Sequence, residues 1–213
     1  MRYLVGHIFL VFIAVSGAWA EQAQTAAAAA NPMARWDLVV KDPNDPNDLM
    51  RTKWESVAKV LQNKELDEKS KADIVDYIIS PIFDFELMGK LALGKTHWPK
   101  LNAADQKTFT ALFVQRLKAS YRDKIMMYKD EQVEFQPAVQ KKEMIQIPMT
   151  LISDGKKTAI VYKLHRLDKT WKVYDVEIEG VSILLTYRSQ FDDILARGTV
   201  KDLLSQLEKP AGS

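Results

Sequence analysis

The chain has 213 residues, 47% of them apolar, with 30 Lys and Arg against 28 Asp and Glu. That length suits one domain or two small ones with a substantial core, and the near-neutral balance gives no basis for a nucleic-acid or polyanion partner. Cysteine is absent, which excludes thiol catalysis, thiolate metal sites and disulfides, so the fold rests on its core.

The first twenty residues have the order of a secretory signal peptide: Arg2, an apolar run over residues 4–15 broken by Gly6 and His7, then Ala18-Trp19-Ala20. The run is about 12 residues where a bilayer span needs roughly 20, so cleavage after Ala20 is expected rather than anchoring. Arg2 leaves with it, giving a mature balance of 29 basic to 28 acidic residues. With no later run long enough to span, a soluble exported protein is expected.

Residues 21–48 read as a flexible leader. Residues 22–30 are Ala/Gln low complexity, and Asp42-Pro43-Asn44-Asp45-Pro46-Asn47-Asp48 is a string of turn formers. Between them Trp36, Leu38, Val39 and Val40 are suited to dock as a short strand or clip.

From residue 49 to 128 the apolar spacing is helical. Leu49, Trp54, Val57, Val60 and Leu61 share one face, and Ile74, Val75, Ile78 and Ile79 form a second stripe ending at Ser80-Pro81. Asp84 stands at an N-cap position ahead of Phe85 and Met88, with Gly94 placed for a left-handed C-terminal turn. Asn102-Ala103-Ala104-Asp105 resembles a capping box. It precedes a long stripe of Phe109, Leu112, Phe113, Arg116, Leu117, Ser120, Tyr121 and Ile125.

After about residue 130 the period becomes two. Ile145, Ile147, Met149 and Leu151 alternate with polar residues, Asp154-Gly155 makes a tight turn, and Ile160, Tyr162 and Leu164 alternate with Val161, Lys163 and His165. Pro148 points to an edge strand. Past a turn at Asp168-Lys169, the apolar phase slips between Val173 and Val176, which predicts a bulge near Asp175. Ile183, Leu184, Tyr187 and Phe191 open a helix, and Val200, Leu203, Leu204 and Leu207 another. The order predicts an α+β domain over residues 49–207, a curved antiparallel sheet of about four strands against a helical layer enclosing an apolar cavity, with residues 208–213 as a tail.

Chemistry-bearing motifs are sparse. His97 and His165 have no acidic neighbour at a metal-ligand spacing and read as surface or turn residues, and neither a Gly-rich phosphate loop nor a nucleophile elbow is present. Asp175, Glu177 and Glu179 share a strand face, and Asp192-Asp193 sit in a helix. Solvated faces account for both sets, while a pocket around the first would permit acid–base work. No metal or cofactor site is expected, and the chain reads as a non-enzyme.

Six blocks carry a resemblance: Phe83-Asp84-Phe85-Glu86-Leu87-Met88; Leu93-Gly94-Lys95 with Trp98; residues 106–121; Trp171-Lys172-Val173-Tyr174-Asp175-Val176; Glu179-Gly180-Val181-Ser182; and Tyr187-Arg188-Ser189-Gln190-Phe191. In this order they resemble the MlaC-type periplasmic lipid-binding family, also called the toluene-tolerance auxiliary component, which has hopanoid-associated relatives. The resemblance implies a periplasmic monomer that holds phospholipid, or a hopanoid or other two-chain lipid, between a twisted sheet and helices. It also implies passage of lipid between an inner-membrane MCE-domain ABC transporter complex and an outer-membrane lipoprotein complex.

Two acyl chains carry about 30 methylenes, worth roughly 24 kcal/mol of transfer at about 0.8 kcal/mol each, which calls for a cavity rather than a surface groove. Expected lining residues are Phe85, Met88, Leu91, Phe109, Phe113, Leu117, Ile145, Ile147, Met149, Val161, Leu164, Val173, Val181, Leu184 and Tyr187, with part of them closed core. Arg188 is expected at the rim beside a headgroup phosphate. The alternative is a periplasmic adaptor or protein-binding module without lipid cargo, marked by a closed core and an exposed apolar patch.

Overall fold

The computed structural model describes residues 31–126 and 131–209, excepting the side chains of residues 123–125. The expected signal peptide, the Ala/Gln tract, the Ile125 side chain and the end of the tail lie outside the described residues.

Among the described residues, six α-helices and six strands follow in chain order. Helix α1 is Pro46–Gln62, capped by Asp45, whose carboxylate accepts from Asn47 N at 2.8 Å. Helix α2 is Glu68–Ile79, capped by Asp67 through Ser70 N. The stripes predicted for these two, Val57, Val60 and Leu61 against Ile74, Val75 and Ile78, pack into a separate small core. Helix α3, Phe85–His97, starts at Asp84 as expected, with Leu87 N donating to Asp84 Oδ1 at 2.9 Å. It kinks at Gly94, where φ 75° and ψ 174° suit only glycine. Helix α4, Ala103–Met126, is capped by Asn102, whose Oδ1 accepts from Asp105 N at 2.9 Å while its side-chain Nδ2 donates to Asp105 Oδ2 at 2.8 Å.

The sheet is antiparallel: β1 Gln132–Phe135, β2 Val139–Lys141, β3 Met144–Ser153, β4 Lys156–Leu167, β5 Thr170–Ile178 and β6 Val181–Ser182. Its order is β1-β3-β4-β5-β6, with β2 pairing β3 beyond the end of β1. Three two-residue turns link β3 to β6, at Asp154-Gly155, Asp168-Lys169 and Glu179-Gly180. All six residues have positive φ, the twist that matches flanking strands. The expected bulge is present: Lys163 pairs Asp175 while Leu164 pairs Val173, leaving Tyr174 as the extra residue.

Three expectations change. The sheet has six strands rather than about four, because β1, β2 and β6 are too short to announce themselves by alternation. Strand β3 is flanked on both sides, so Pro148 does not mark an edge. Its carbonyl accepts from Gln136 N at 2.9 Å, and the missing donor faces the same side, into the gap between β1 and β2. Residues 31–48 of the expected leader make defined contacts. A 3₁₀ turn at Ala34–Trp36 buries Ala34, Leu38 N donates to Ser56 Oγ at 3.0 Å, and Asp37 pairs Lys53 at 2.6 Å. The Asp-Pro turns then latch onto the sheet, with Trp171 Nε1 donating to Asn44 O at 2.8 Å and Arg166 to Asn44 Oδ1 at 3.0 Å. Turn formers fix a local path as readily as they end a helix, and here that path carries partners.

The chain closes with α5, Ile183–Arg197, capped by Ser182, and α6, Val200–Glu208, whose capping box joins Thr199 and Asp202. One large core joins α3, α4, α5 and α6 to the inner face of β3, β4 and β5.

Candidate lipid-binding site

Register decides which side chains face the helices. Ile147 pairs Tyr162, which pairs Val176; Ile145 pairs Leu164, which pairs Val173; and Met149 pairs Ile160, which pairs Ile178. Opposite them lies the stripe from α4. Phe109 and Phe113 stack at 6.0 Å, and both meet the Phe191 ring edge-on, as Phe113 also meets Tyr187.

Ten of the sixteen expected residues are closely packed: Met88, Phe109, Phe113, Leu117, Ile145, Ile147, Met149, Leu164, Val173 and Leu184 all keep 8% or less of their surface. A side chain with no accessible surface borders no hollow large enough for a water, and Phe109, Phe113, Ile147, Leu164 and Val173 stand at 0%. These five are closed core. Phe85, Leu91 and Tyr187 are half-buried against the same core.

Val161 and Val181 are corrections. Val161 alternates with Tyr162 and faces away from the helices, beside Pro148 and Glu177, because successive strand residues point to opposite faces. Val181 is 60% exposed, on the two-residue edge strand β6.

Packing on the inner face is graded along β4 and β5, while Ile147 and Met149 of β3 stay buried. It is sealed at Leu164 and Val173, near the start of α3, and loosens to half-buried at Tyr162, Ile160 and Ile178, toward the Asp154-Gly155 turn. Two clefts lie between helices instead. One, of about 490 Å³, is bordered by α4, α5 and α6 through Ser120, Tyr187, Phe191 and Leu203; of the expected residues only Tyr187 borders it. The other, of about 520 Å³, lies between α3 and α4 around Trp98, Gln106 and Thr110 and includes none of them.

Arg188 is placed by α3. Its Nε donates to Leu91 O at 3.0 Å and its Nη2 joins the same carbonyl, so the guanidinium covers the helix end that Gly94 opens. A Cβ at Gly94 would stand 3.1 Å from Arg188 Nε.

Three polar groups absent from the sequence expectations tie the layers together. His165, read as a surface residue, places Nε2 2.9 Å from Asp84 Oδ2, with both side chains largely buried at 19% and 11% exposure. Asp84 N also donates to Val173 O at 2.9 Å. His97 likewise pairs Asp192 at 3.2 Å, joining α3 to α5. Asp175, read as part of a solvated face, is 5% exposed: it accepts from Ser182 Oγ at 2.8 Å and Leu184 N at 3.3 Å, and pairs Lys163 at 3.0 Å. Asp175 shares the face of Lys163 and Glu177 and is buried there under the start of α5. Burial works against the Lys163 charge, but its bonds to Glu177 and Asp175 outweigh this and raise its pKa above the ordinary lysine value. The signal available in the sequence was the Asp84 cap and the phase slip; their partners are distant.

Among the described residues no cluster of three or more His, Asp or Glu side chains could hold a metal ion, and no helix is long and apolar enough to cross a membrane. The fold and its apolar layer define an α+β domain built around a sheet-to-helix interior.

The chain belongs to the MlaC protein family, whose profile matches residues 51–209. It is similar to the toluene tolerance protein Ttg2D of Pseudomonas putida, at 22% identity over 172 residues, covering 78% of this chain and 80% of that protein. It also superposes on a phospholipid-binding protein from Ralstonia solanacearum solved in complex with a phospholipid. That match has a TM-score of 0.60 and 25% identity, covering 88% of this chain and 94% of that one.

Proposed function

We propose that this protein is a periplasmic lipid carrier that takes the acyl chains of a phospholipid between its sheet and helices and shuttles lipid between an inner-membrane ABC transporter complex and the outer membrane. The observation that carries the reading is the likeness, over 88% of this chain, to a structure holding a phospholipid, in a chain that itself presents a continuous apolar layer between sheet and helices. The signal-peptide pattern of residues 1–20 supports export, and family membership supports an inner-membrane MCE-domain ABC transporter complex and an outer-membrane lipoprotein complex as the proposed partners.

The graded packing supports a particular route. Acyl chains enter at the loosened end, around Ile160, Tyr162 and Ile178, and displace the apolar contacts there before those of the sealed core. Apolar contact replaces apolar contact, so loading leaves no polar group unpaired. A bilayer offers the acyl chains a comparable environment, and a docking partner that changes either state slightly decides loading or release.

The test is native mass spectrometry of the protein purified without detergent and after incubation with phospholipid vesicles, followed by lipid extraction. A stoichiometric lipid adduct is expected. A chain that stays bare in both conditions overturns the carrier reading and leaves a protein-binding adaptor in its place.

A further inference from the structure

Tyr162 is a polar side chain in the apolar part of the inner face of β4, set between Ile160 and Leu164 along the strand and between Ile147 and Val176 across it. Its ring packs against the large core. Its hydroxyl makes no hydrogen bond among the described residues, whereas Tyr187 OH meets Ser120 Oγ at 3.2 Å and Tyr174 OH meets Met144 S at 2.9 Å. Yet the described residues contain no sealed side-chain polar atom without a partner. The Tyr162 hydroxyl therefore keeps some accessible surface, at the level where packing along β4 begins to loosen. Burial alone pushes its pKa up to about 12, so it stays a neutral donor at physiological pH.

Resting on the carrier reading, the structure assigns Tyr162 as a ligand-binding residue that donates a hydrogen bond to an ester carbonyl of the bound lipid, and so favours acyl-ester over alkyl-ether lipids. The first polar atoms above a pair of acyl chains are the ester carbonyl oxygens, which only accept, and the phenol offers the donor they lack in an apolar site. A phosphate fits this position poorly. Lys163 points to the opposite face and is engaged by Asp175 and Glu177, and Arg188 is engaged by Leu91 O, so no cation is provided there to offset the desolvation of an anion. An ether oxygen is a weaker acceptor than a carbonyl, so the linkage rather than the headgroup is what this residue reads.

The experiment compares a diacyl phosphatidylcholine with its dialkyl ether analogue, loaded from vesicles in competition onto the full chain and onto Tyr162→Phe, with bound lipid quantified by mass spectrometry. The wild type is expected to favour the ester lipid by about 2- to 10-fold, the range of one net hydrogen bond, and the variant to lose that preference. Equal loading of both lipids by the wild type, or an unchanged preference in the variant, overturns the assignment. So does a variant that loses both lipids equally, since that marks a structural or phosphate-directed role. Should the variant misfold, the infrared carbonyl band of wild type loaded with carbonyl-¹³C lipid decides: a shift to lower frequency is expected, and an unshifted band refutes it. If neither lipid loads, the carrier reading itself has failed.

Discussion

Replacing Asp84 with alanine removes two connections at once, and their sizes follow from the geometry. The carboxylate caps α3 through Leu87 N at 2.9 Å, and an N-cap to alanine change costs about 1 kcal/mol. Its other oxygen faces His165 Nε2 at 2.9 Å, and stranding a largely buried imidazole adds roughly 1–3 kcal/mol. The Asp84→Ala variant should thus lose about 3 kcal/mol, which for a domain of this size lowers Tm by roughly 6–12 °C. Asp84→Asn keeps the capping oxygen and should lose about half as much. Urea unfolding followed by tryptophan fluorescence, together with thermal circular dichroism, measures both. A double-mutant cycle with His165→Ala should return a coupling of about 1 kcal/mol. A loss below about 0.5 kcal/mol for Asp84→Ala, or strict additivity with His165→Ala, would refute the view that this pair joins sheet to helices.

Phe113→Ala empties a side chain with 0% exposure that touches three other rings, and should cost about 3–5 kcal/mol in chemical denaturation. Gly94→Ala forces a Cβ into a backbone region reserved for glycine and against Arg188. A loss of about 1–3 kcal/mol is expected, with unfolding midpoints as the measure. Alkaline stability should depend on Tyr162. A phenol whose folded pKa is about 12 and unfolded value near 10 holds its proton more tightly when folded, so stability is intact below pH 10. It then falls by roughly 2–3 kcal/mol as pH rises to 12. Tyr162→Phe should flatten that slope in denaturation curves taken at pH 9 and pH 12.

Local features were legible in the sequence because their partners are local. Asp84 as a cap, Asn102 before α4, the Asp154-Gly155 turn and the slip near Asp175 each involve groups within a few residues. The ties that make the domain were not legible, because they join distant residues: Asp84 to His165 are 81 apart, and Asn44 to Trp171 are 127. Of the candidate site, periodicity identified the buried stripe but not its gradient. Whether Leu164 is sealed and Ile160 half-open depends on what lies above each, which strand alternation does not encode. Val161 was expected in the lining although strand alternation puts it opposite Ile160, Tyr162 and Leu164, and Tyr162, its neighbour on the inner face, was not among the expected residues. Arg188 was read as a headgroup contact because its nearness to Leu91 O depends on the kink at Gly94.

These ties also bear on how a packed interior could admit a lipid. The polar connections cluster at the sealed end and at the start of α5: Asp84 with His165, Arg188 with Leu91, and Asp175 with Leu184. The loosened end around Ile160 and Ile178 is held by apolar contact, which an acyl chain replaces in kind. If lipid enters there, loading rearranges the far end of the inner face while the tied end stays fixed. Hydrogen exchange separates the two regions. On incubation with phospholipid vesicles, the Leu87 and Leu184 amides, which donate to Asp84 and Asp175, should keep their protection, and the amides around Ile160 and Tyr162 should change theirs. The reverse pattern would mean that α3 and α5 swing away from the sheet, so that entry is by separation of the layers and the Asp84–His165 pair is the latch that opens.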